Sequence, residues 1–402
     1  MTFSKVARSI GASATLKLNA KAAQLRTAGE PVVHLGGGEP KSKCPQGAIA
    51  AGIGMLETGE VRYSPASGTP VMKDAIIDYT ERFYGRRVER TNVMASAGVK
   101  QALMVALMAL VDSGDEVVFP VPYWVSYPEM TRLAGGVPVP VPPLPGGFQP
   151  DLDAIVAAMG PRTRVVLLNT PNNPSGAVYD GDFIRKIVRI CEEKDVFLLM
   201  DDIYHRLVFD GKSAVHCYDC TDRPLDDTRL VVLNGVSKQY AMTGFRIGWA
   251  VGPAPLIKAM GNIQSHQTGG PSTLAQTAAV GAIDGHTGSV EQLNTDLEVG
   301  RDEMVRLLRE IPGLEVEAPG GTFYCFCDFS RYDADSARLS AMLLEKVQVV
   351  TVPGVEFGLD GYLRLSFCGS MEDIREGVKR IAWALDAEGP AEYVAGERIY
   401  TR

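Results

Sequence analysis

Seven cysteines and five histidines are scattered over the 402 residues, too dispersed for a disulfide framework or an evident zinc site. Cys217 and Cys220 form a C-x-x-C and Cys325 and Cys327 a C-x-C, but four ligands at helpful spacing are missing. Incidental thiols in a reducing compartment are therefore expected, with the cytoplasm as the default location and no metal. Also missing is any uncharged apolar run long enough to span a bilayer, and any secretory apolar core. Positive charge is in deficit: 40 Lys and Arg against 48 Asp and Glu give a net of −8, a poor footprint for nucleic acid or anionic lipid. A small anion can still find a locally positive site in such a protein. No G-x-G-x-x-G follows a strand and opens a helix, and no G-x-x-x-x-G-K-[ST] occurs, so the dinucleotide and P-loop fingerprints are absent. Gly36-Gly37-Gly38-Glu39-Pro40 is rich in glycine, but the residues after it do not start a helix.

What the chain has is enough ordinary globular sequence for two domains, with 46% apolar and 22% charged residues. Short apolar runs alternate with amphipathic stretches through its middle. Strands are predicted at Asn92–Ser96, Glu116–Pro120, Val165–Asn169, Phe197–Asp201, Leu230–Asn234 and Ile247–Val251. Several are apolar at successive positions, as parallel strands covered on both faces require. Lys100–Val111 and Asp182–Glu193 read as helices between them, the second with Phe183, Ile187, Ile190 and Cys191 along one stripe. The expected architecture is α/β: a large, mostly parallel sheet with helices on both faces, over residues 46–285. Past Gly285 the texture changes to helix patterns at Glu291–Ile311, Ala337–Lys346 and Met371–Ala387, with apolar segments between them. This predicts a smaller α+β domain built from residues 1–45 and 286–402. The tail from Glu388 carries no readable pattern.

Three segments sit at predicted strand ends, where α/β proteins place ligands. "NTPNNPSG" (Asn169–Gly176) ends one strand, "MDDIY" (Met200–Tyr204) the next and "NGVSKQYAMTGFRIGW" (Asn234–Trp249) the third. Taken singly, Asp201 reads as a cap, Asn173-Pro174 as a turn and Lys238 as a solvated lysine. Their joint occurrence in this order argues against coincidence.

With these motifs the sequence resembles the class I aminotransferases, fold-type I enzymes that use pyridoxal 5'-phosphate. The likeness runs from Ser13-Ala14-Thr15 to the final helix. It is strongest to the bacterial aspartate aminotransferase subgroup, through "GGGEP", "PYWVSYPEM", "NNPSG" and "SKQYAMTGFRIGW". The resemblance implies that Lys238 holds the cofactor covalently and, once displaced by substrate, moves the proton, which requires a pKa brought toward neutrality. Asp201 would pair with the pyridine nitrogen, so that the ring can accept electrons. Tyr204 and Asn173 would hydrogen-bond the ring hydroxyl, and Trp124 would stack on the ring; alone, Trp124 reads as a core aromatic. Gly98, Val99 and Lys100 open a helix whose free N–H groups suit a phosphate, with Ser237 and Arg246 completing the cup. Tyr63 in "VRYSPASG" matches a tyrosine that reaches the phosphate from the neighbouring subunit, which implies a homodimer.

For the substrates, Arg364 in "LRLSF" matches the arginine that grips the α-carboxylate, and Gly38 the backbone position beside it. Lys100 and Thr15 fall where the subgroup recognises a second carboxylate, so an acidic amino acid, aspartate first, is expected to exchange its amino group with 2-oxoglutarate by a ping-pong cycle. Prephenate is the rival oxo acid; aromatic, alanine-type and cysteine-conjugate substrates stand further back. The family's usual "GEPDFDTP" reads "GEPKSKCP" here, replacing two acids and an aromatic with Lys41, Ser42 and Lys43 near the substrate mouth. "DEIY" becomes "DDIY" at Asp202, and His266 replaces a small polar residue. The first 29 residues, with five basic and no acidic side chains, faintly resemble a transit peptide, but most of them lie inside the alignable region. A regulator's sensor domain of the same fold is the non-enzymatic alternative; 12 residues before the matching segment and the acidic total argue against it. A metal or redox protein built on Cys217 and Cys220 is the other.

Overall fold

A computed structural model describes residues 2–11, 14–285, 288–395 and 398–401. Its main sheet has seven strands: β1 Val93–Ser96, β2 Glu116–Pro120, β3 Val137–Val141, β4 Thr163–Asn169, β5 Phe197–Asp201, β6 Leu230–Gly235 and β7 Gly248–Val251. Their spatial order is β1-β7-β6-β5-β4-β2-β3, with β7 antiparallel to both neighbours and the other pairings parallel. One edge of the sheet therefore carries the carboxyl ends of every strand but β7, together with the start of β7. This is where ligands bind in open α/β sheets, because helix N-termini and loops converge there.

The central strands are apolar at nearly every position because helices cover both faces. Val165, Leu167 and Leu199 enter the core on one side, and Val166, Leu168 and Leu198 that on the other. The β3 strand, "VPVPV", escaped the sequence reading because its two prolines argue against a strand. It lies at the sheet's end, where a missing outward N–H costs nothing.

The first of these cores continues into a second sheet, β8 Tyr324–Asp328, β9 Val352–Pro353 and β10 Tyr362–Ser366, which is antiparallel in the order β9-β10-β8. Early and late parts of the sequence meet beside it. Val33–His34 pairs in parallel with Val349–Val350, and the buried Arg380 donates to Pro31 O (2.7 Å) and Tyr400 Oη (2.9 Å). The tail without a readable pattern forms a hairpin, Glu392–Ala395 with Arg398–Thr401, packed on the helix Met371–Leu385 through Tyr393 and Tyr400. Alternation over four residues per strand is too short a signal to stand out from a polar tail.

Helices Gln46–Thr58 and Thr273–Asp284 approach closely through facing glycines. A Cβ on Gly281 would lie 2.3 Å from Gly47 O, and one on Gly47 2.2 Å from Gly281 O. Gly281→Ala is accordingly expected to lower unfolding free energy by about 1–3 kcal/mol, the usual cost of overpacking. Denaturant titration checks this; an unchanged midpoint would mean that the two helices separate freely.

Candidate active site

At the carboxyl edge of the main sheet lies a cavity of about 780 Å³. Of the residues predicted for the site, Gly38, Val99, Lys100, Trp124, Asn173, Asp201, Tyr204, Ser237, Lys238, Arg246 and Arg364 all line it. Most of them lie at or just beyond an end of a main-sheet strand. Trp124 comes after β2, Asn173 after β4, Asp201 and Tyr204 close β5, Ser237 and Lys238 follow β6, and Arg246 precedes β7. Gly98 is the N-cap of the helix Val99–Leu110 after β1.

Asp201 is 3% exposed, and its Oδ2 accepts a hydrogen bond from Tyr127 Oη at 2.7 Å, while Oδ1 has no partner. Burial raises its pKa to about 6; the Tyr127 hydrogen bond, the Ile203 N–H and the Lys238 charge only partly offset it. The neighbouring Asp202 is also buried, accepts from Tyr84 Oη at 3.1 Å and is pushed up by burial to about 8. Lys238 Nζ donates to Gly38 O at 2.6 Å. Burial pulls its pKa down to about 8, with Cys368 and Glu39 opposing and Arg364 and Arg246 assisting. A lysine so placed is within reach of its neutral, nucleophilic form near physiological pH. Gln239, the next residue, is fixed by Tyr79 Oη at 3.0 Å and by Asn234 Oδ1 at 3.2 Å, which steadies the backbone carrying Lys238.

The other end of the cavity is an anion cup. The first N–H groups of Val99–Leu110 have no intrahelical partner, and Arg246 lies against them. A Cβ on Gly98, whose φ is +89°, would come within 2.7 Å of an Arg246 guanidinium nitrogen. Arg246 itself adopts left-handed backbone, φ +55°, and donates to Thr243 O at 2.7 Å. Lys100 Nζ lies 4.7 Å from the Trp124 ring centroid, and its pKa is lowered first by burial and then by Arg246.

Arg364, on β10, is 4% exposed. It donates to Asn173 Oδ1 (2.9 Å) and Gly36 O (3.2 Å), and its Nε has no partner. Asn173 is set in turn by Asn169 Oδ1, which accepts its N–H at 2.8 Å, and Asn169 Nδ2 donates to Asp201 O at 2.7 Å.

One predicted side chain lies away from this cavity, and another is not among those described. Tyr63 is fully exposed and off its wall, so within one chain it touches nothing of the site. Thr15 is in the helix Ala14–Thr27, but its side chain lies outside the described residues. Lys41 points elsewhere, to Asp373 at 2.7 Å, and His266 is exposed on the helix Ala254–Gln267. Among the described residues no three metal-ligating side chains cluster. Tyr127, Asn169 and Tyr324 went unnoticed in the sequence. Tyr127 follows Trp124 by one helical turn and Asn169 opens "NTPNNPSG", so both had a signal; Tyr324 sits in an apolar strand and had none.

The doubly wound sheet with its ligand edge, joined to a smaller antiparallel sheet that supplies an arginine, is that of a fold-type I transferase. The chain belongs to the aminotransferase class I and II family, whose model matches residues 30–381, and is an aminotransferase. It is 40% identical over 383 residues to an aspartate aminotransferase of Streptomyces avermitilis, covering 92% of this chain and 93% of that one. It is 38% identical over 377 residues to the aspartate/prephenate aminotransferase of Thermus thermophilus, covering 93% and 96%. The crystal structure of the aspartate aminotransferase from Rhizobium meliloti superposes with a TM-score of 0.91 at 37% identity, covering 96% of this chain and 99% of that one.

The unmatched carboxylate has a measurable cost. Burial pushes the Asp201 pKa to about 6 in the folded, cofactor-free protein, above its ordinary value of 3.8. Between these values the folded state holds the extra proton, so stability falls as pH rises through the window. Cofactor-free Asp201→Asn should therefore exceed the wild type in stability at pH 7.5 by roughly 2–3 kcal/mol, with the gap closing below about pH 4. Thermal denaturation across pH checks this; equal stability at pH 7.5 would show that Asp201 is not strained by burial.

Proposed function

We propose that the chain is a pyridoxal phosphate-dependent aminotransferase that exchanges the amino group of aspartate with 2-oxoglutarate by a ping-pong mechanism. The observation that carries this is one cavity floor holding a lysine drawn toward neutrality and a buried carboxylate oxygen without a partner. Pyridinium N–H is the donor that such an oxygen lacks, and a ring phosphate matches the cup of Gly98, Val99, Lys100, Ser237 and Arg246. Bound there, pyridoxal phosphate would supply an electron sink for bond breaking at the amino acid's Cα.

The chain's own groups do the rest. Asp201 holds a proton on the ring nitrogen, and Tyr127 orients Asp201. Lys238 anchors the cofactor, and as a free amine it takes the proton from Cα and returns it across the ring. Trp124 covers a ring face, while Tyr204 and Asn173 donate to the ring hydroxyl oxygen. Arg364, with Nε free and Gly38 alongside, binds the α-carboxylate. Lys100, whose ammonium lies over the Trp124 ring, and Thr15 receive the second carboxylate; both aspartate and 2-oxoglutarate bring one. A larger oxo acid such as prephenate is the second reading, favoured by the cavity's extension past Trp124 to Tyr123, Arg132 and Glu356.

In this proposal residues 46–285 form the cofactor-bearing domain, and residues 1–45 with 286–402 the one bearing Arg364. The enzyme works as a cytoplasmic homodimer in which Tyr63 of the partner subunit reaches the phosphate. The exposed apolar side chains Ile53, Leu56, Val61 and Val71, which flank Tyr63 in the sequence, support such a contact.

Incubation with pyridoxal phosphate should give a visible absorption band that borohydride abolishes, leaving the cofactor's mass on the Lys238 peptide. Lys238→Ala should gain no band, and a colourless wild-type protein would overturn the reading. Lys100→Ala should lower kcat/KM for aspartate by roughly tenfold or more, while alanine changes little. Equal losses in steady-state assays of both donors would remove Lys100 from side-chain recognition.

A further inference from the structure

Arg364 does not stand alone on its strand. On β10 it is paired with Phe326 of β8, which places Tyr324, two residues earlier, diagonally across on the same face. Its guanidinium carbon lies 4.2 Å from the Tyr324 ring centroid and 5.0 Å from that of Phe357, so two aromatic rings flank it. At its other end, Tyr324 Oη lies 3.3 Å from Tyr204 Oη, and the two rings meet edge to face. Tyr324 is 1% exposed overall, yet it lines the cavity. One side chain thus touches both the group offered to the substrate carboxylate and the hydroxyl offered to the ring oxygen.

We propose that Tyr324 is a positioning residue with two separable parts: its ring is the platform that orients Arg364, and its hydroxyl sets the hydrogen bonding of Tyr204. This rests on the pyridoxal phosphate reading above. The ring's contribution comes from cation–π attraction and from fixing the guanidinium plane, so that Nε and a terminal nitrogen face a carboxylate together. A phenylalanine provides the same ring. The hydroxyl's contribution is electronic. By donating to Tyr204 Oη, it makes Tyr204 the stronger donor to the ring oxygen, which favours the deprotonated form of the bound chromophore. Removing it should therefore raise the pH at which that chromophore titrates.

Two variants of the cofactor-loaded protein separate the parts, with readouts that need no turnover. Succinate, a non-reacting dicarboxylate, reports the platform by calorimetric titration, and the pH midpoint of the visible band reports the hydroxyl. Tyr324→Phe should bind succinate within twofold of the wild type, with a midpoint higher by roughly half a pH unit or more. Tyr324→Leu should weaken succinate by roughly tenfold, the size of one well-desolvated cation–π contact. The proposal is overturned by a Tyr324→Phe midpoint equal to that of the wild type, or by Tyr324→Leu binding succinate normally. It is overturned equally if Tyr324→Phe and Tyr324→Leu lose succinate to the same extent. A wild-type protein that takes up no pyridoxal phosphate would instead fault the functional reading, before any Tyr324 variant is compared.

Discussion

An acid buried at the end of β5 with one oxygen unmatched is the constraint on which the site depends. Nothing in the strand's own packing requires it: Leu198, Leu199 and Met200 before it are ordinary core residues, and an asparagine could keep the Tyr127 contact. Burial of the carboxylate therefore works against folding at neutral pH. The cavity's other groups are arranged about it. Lys238 follows the next strand over, Asn169 is bonded to the Asp201 carbonyl from the strand on the other side, and the helix after β1 directs its N-terminus to the far end.

From that floor a continuous set of hydrogen bonds reaches the second sheet. Asn169 holds Asn173, Asn173 receives Arg364, and Arg364 donates to the Gly36 carbonyl; two residues on, Gly38 O receives Lys238. Four stretches far apart in the sequence are thereby linked along the cavity wall. The places of Arg364 and Lys238 in the cavity are set by the same few bonds.

Much of this was legible in the sequence. Six of the seven main strands announced themselves by unbroken apolar runs, since strands covered on both faces have no polar positions to break the pattern. Much of the cavity lining was legible through motifs that end those strands, and Lys238, Asp201, Asn173 and Arg246, named together from the sequence, do share one cavity. What was hidden had physical reasons. Prolines disguised β3, and the final hairpin is too short to show a period. Tyr324 looks like any aromatic in "TFYCF", because its importance comes from a diagonal neighbour 40 residues later that only strand register reveals. Tyr63 was named from resemblance alone, and one chain gives it nothing to touch.

The clasp between Pro31, Arg380 and Tyr400 has a consequence for how the molecule comes into being. Arg380 and the Pro31 carbonyl it bonds are separated by 349 residues, and Glu30 is paired with Arg398. During synthesis the segment around residues 30–40, which carries Gly36 and Gly38, must wait for nearly the whole chain to emerge before its partners exist. The seven strands of the main sheet, by contrast, are all present by Val251. The mouth of the cavity is thus among the last parts of the molecule for which every partner has been made.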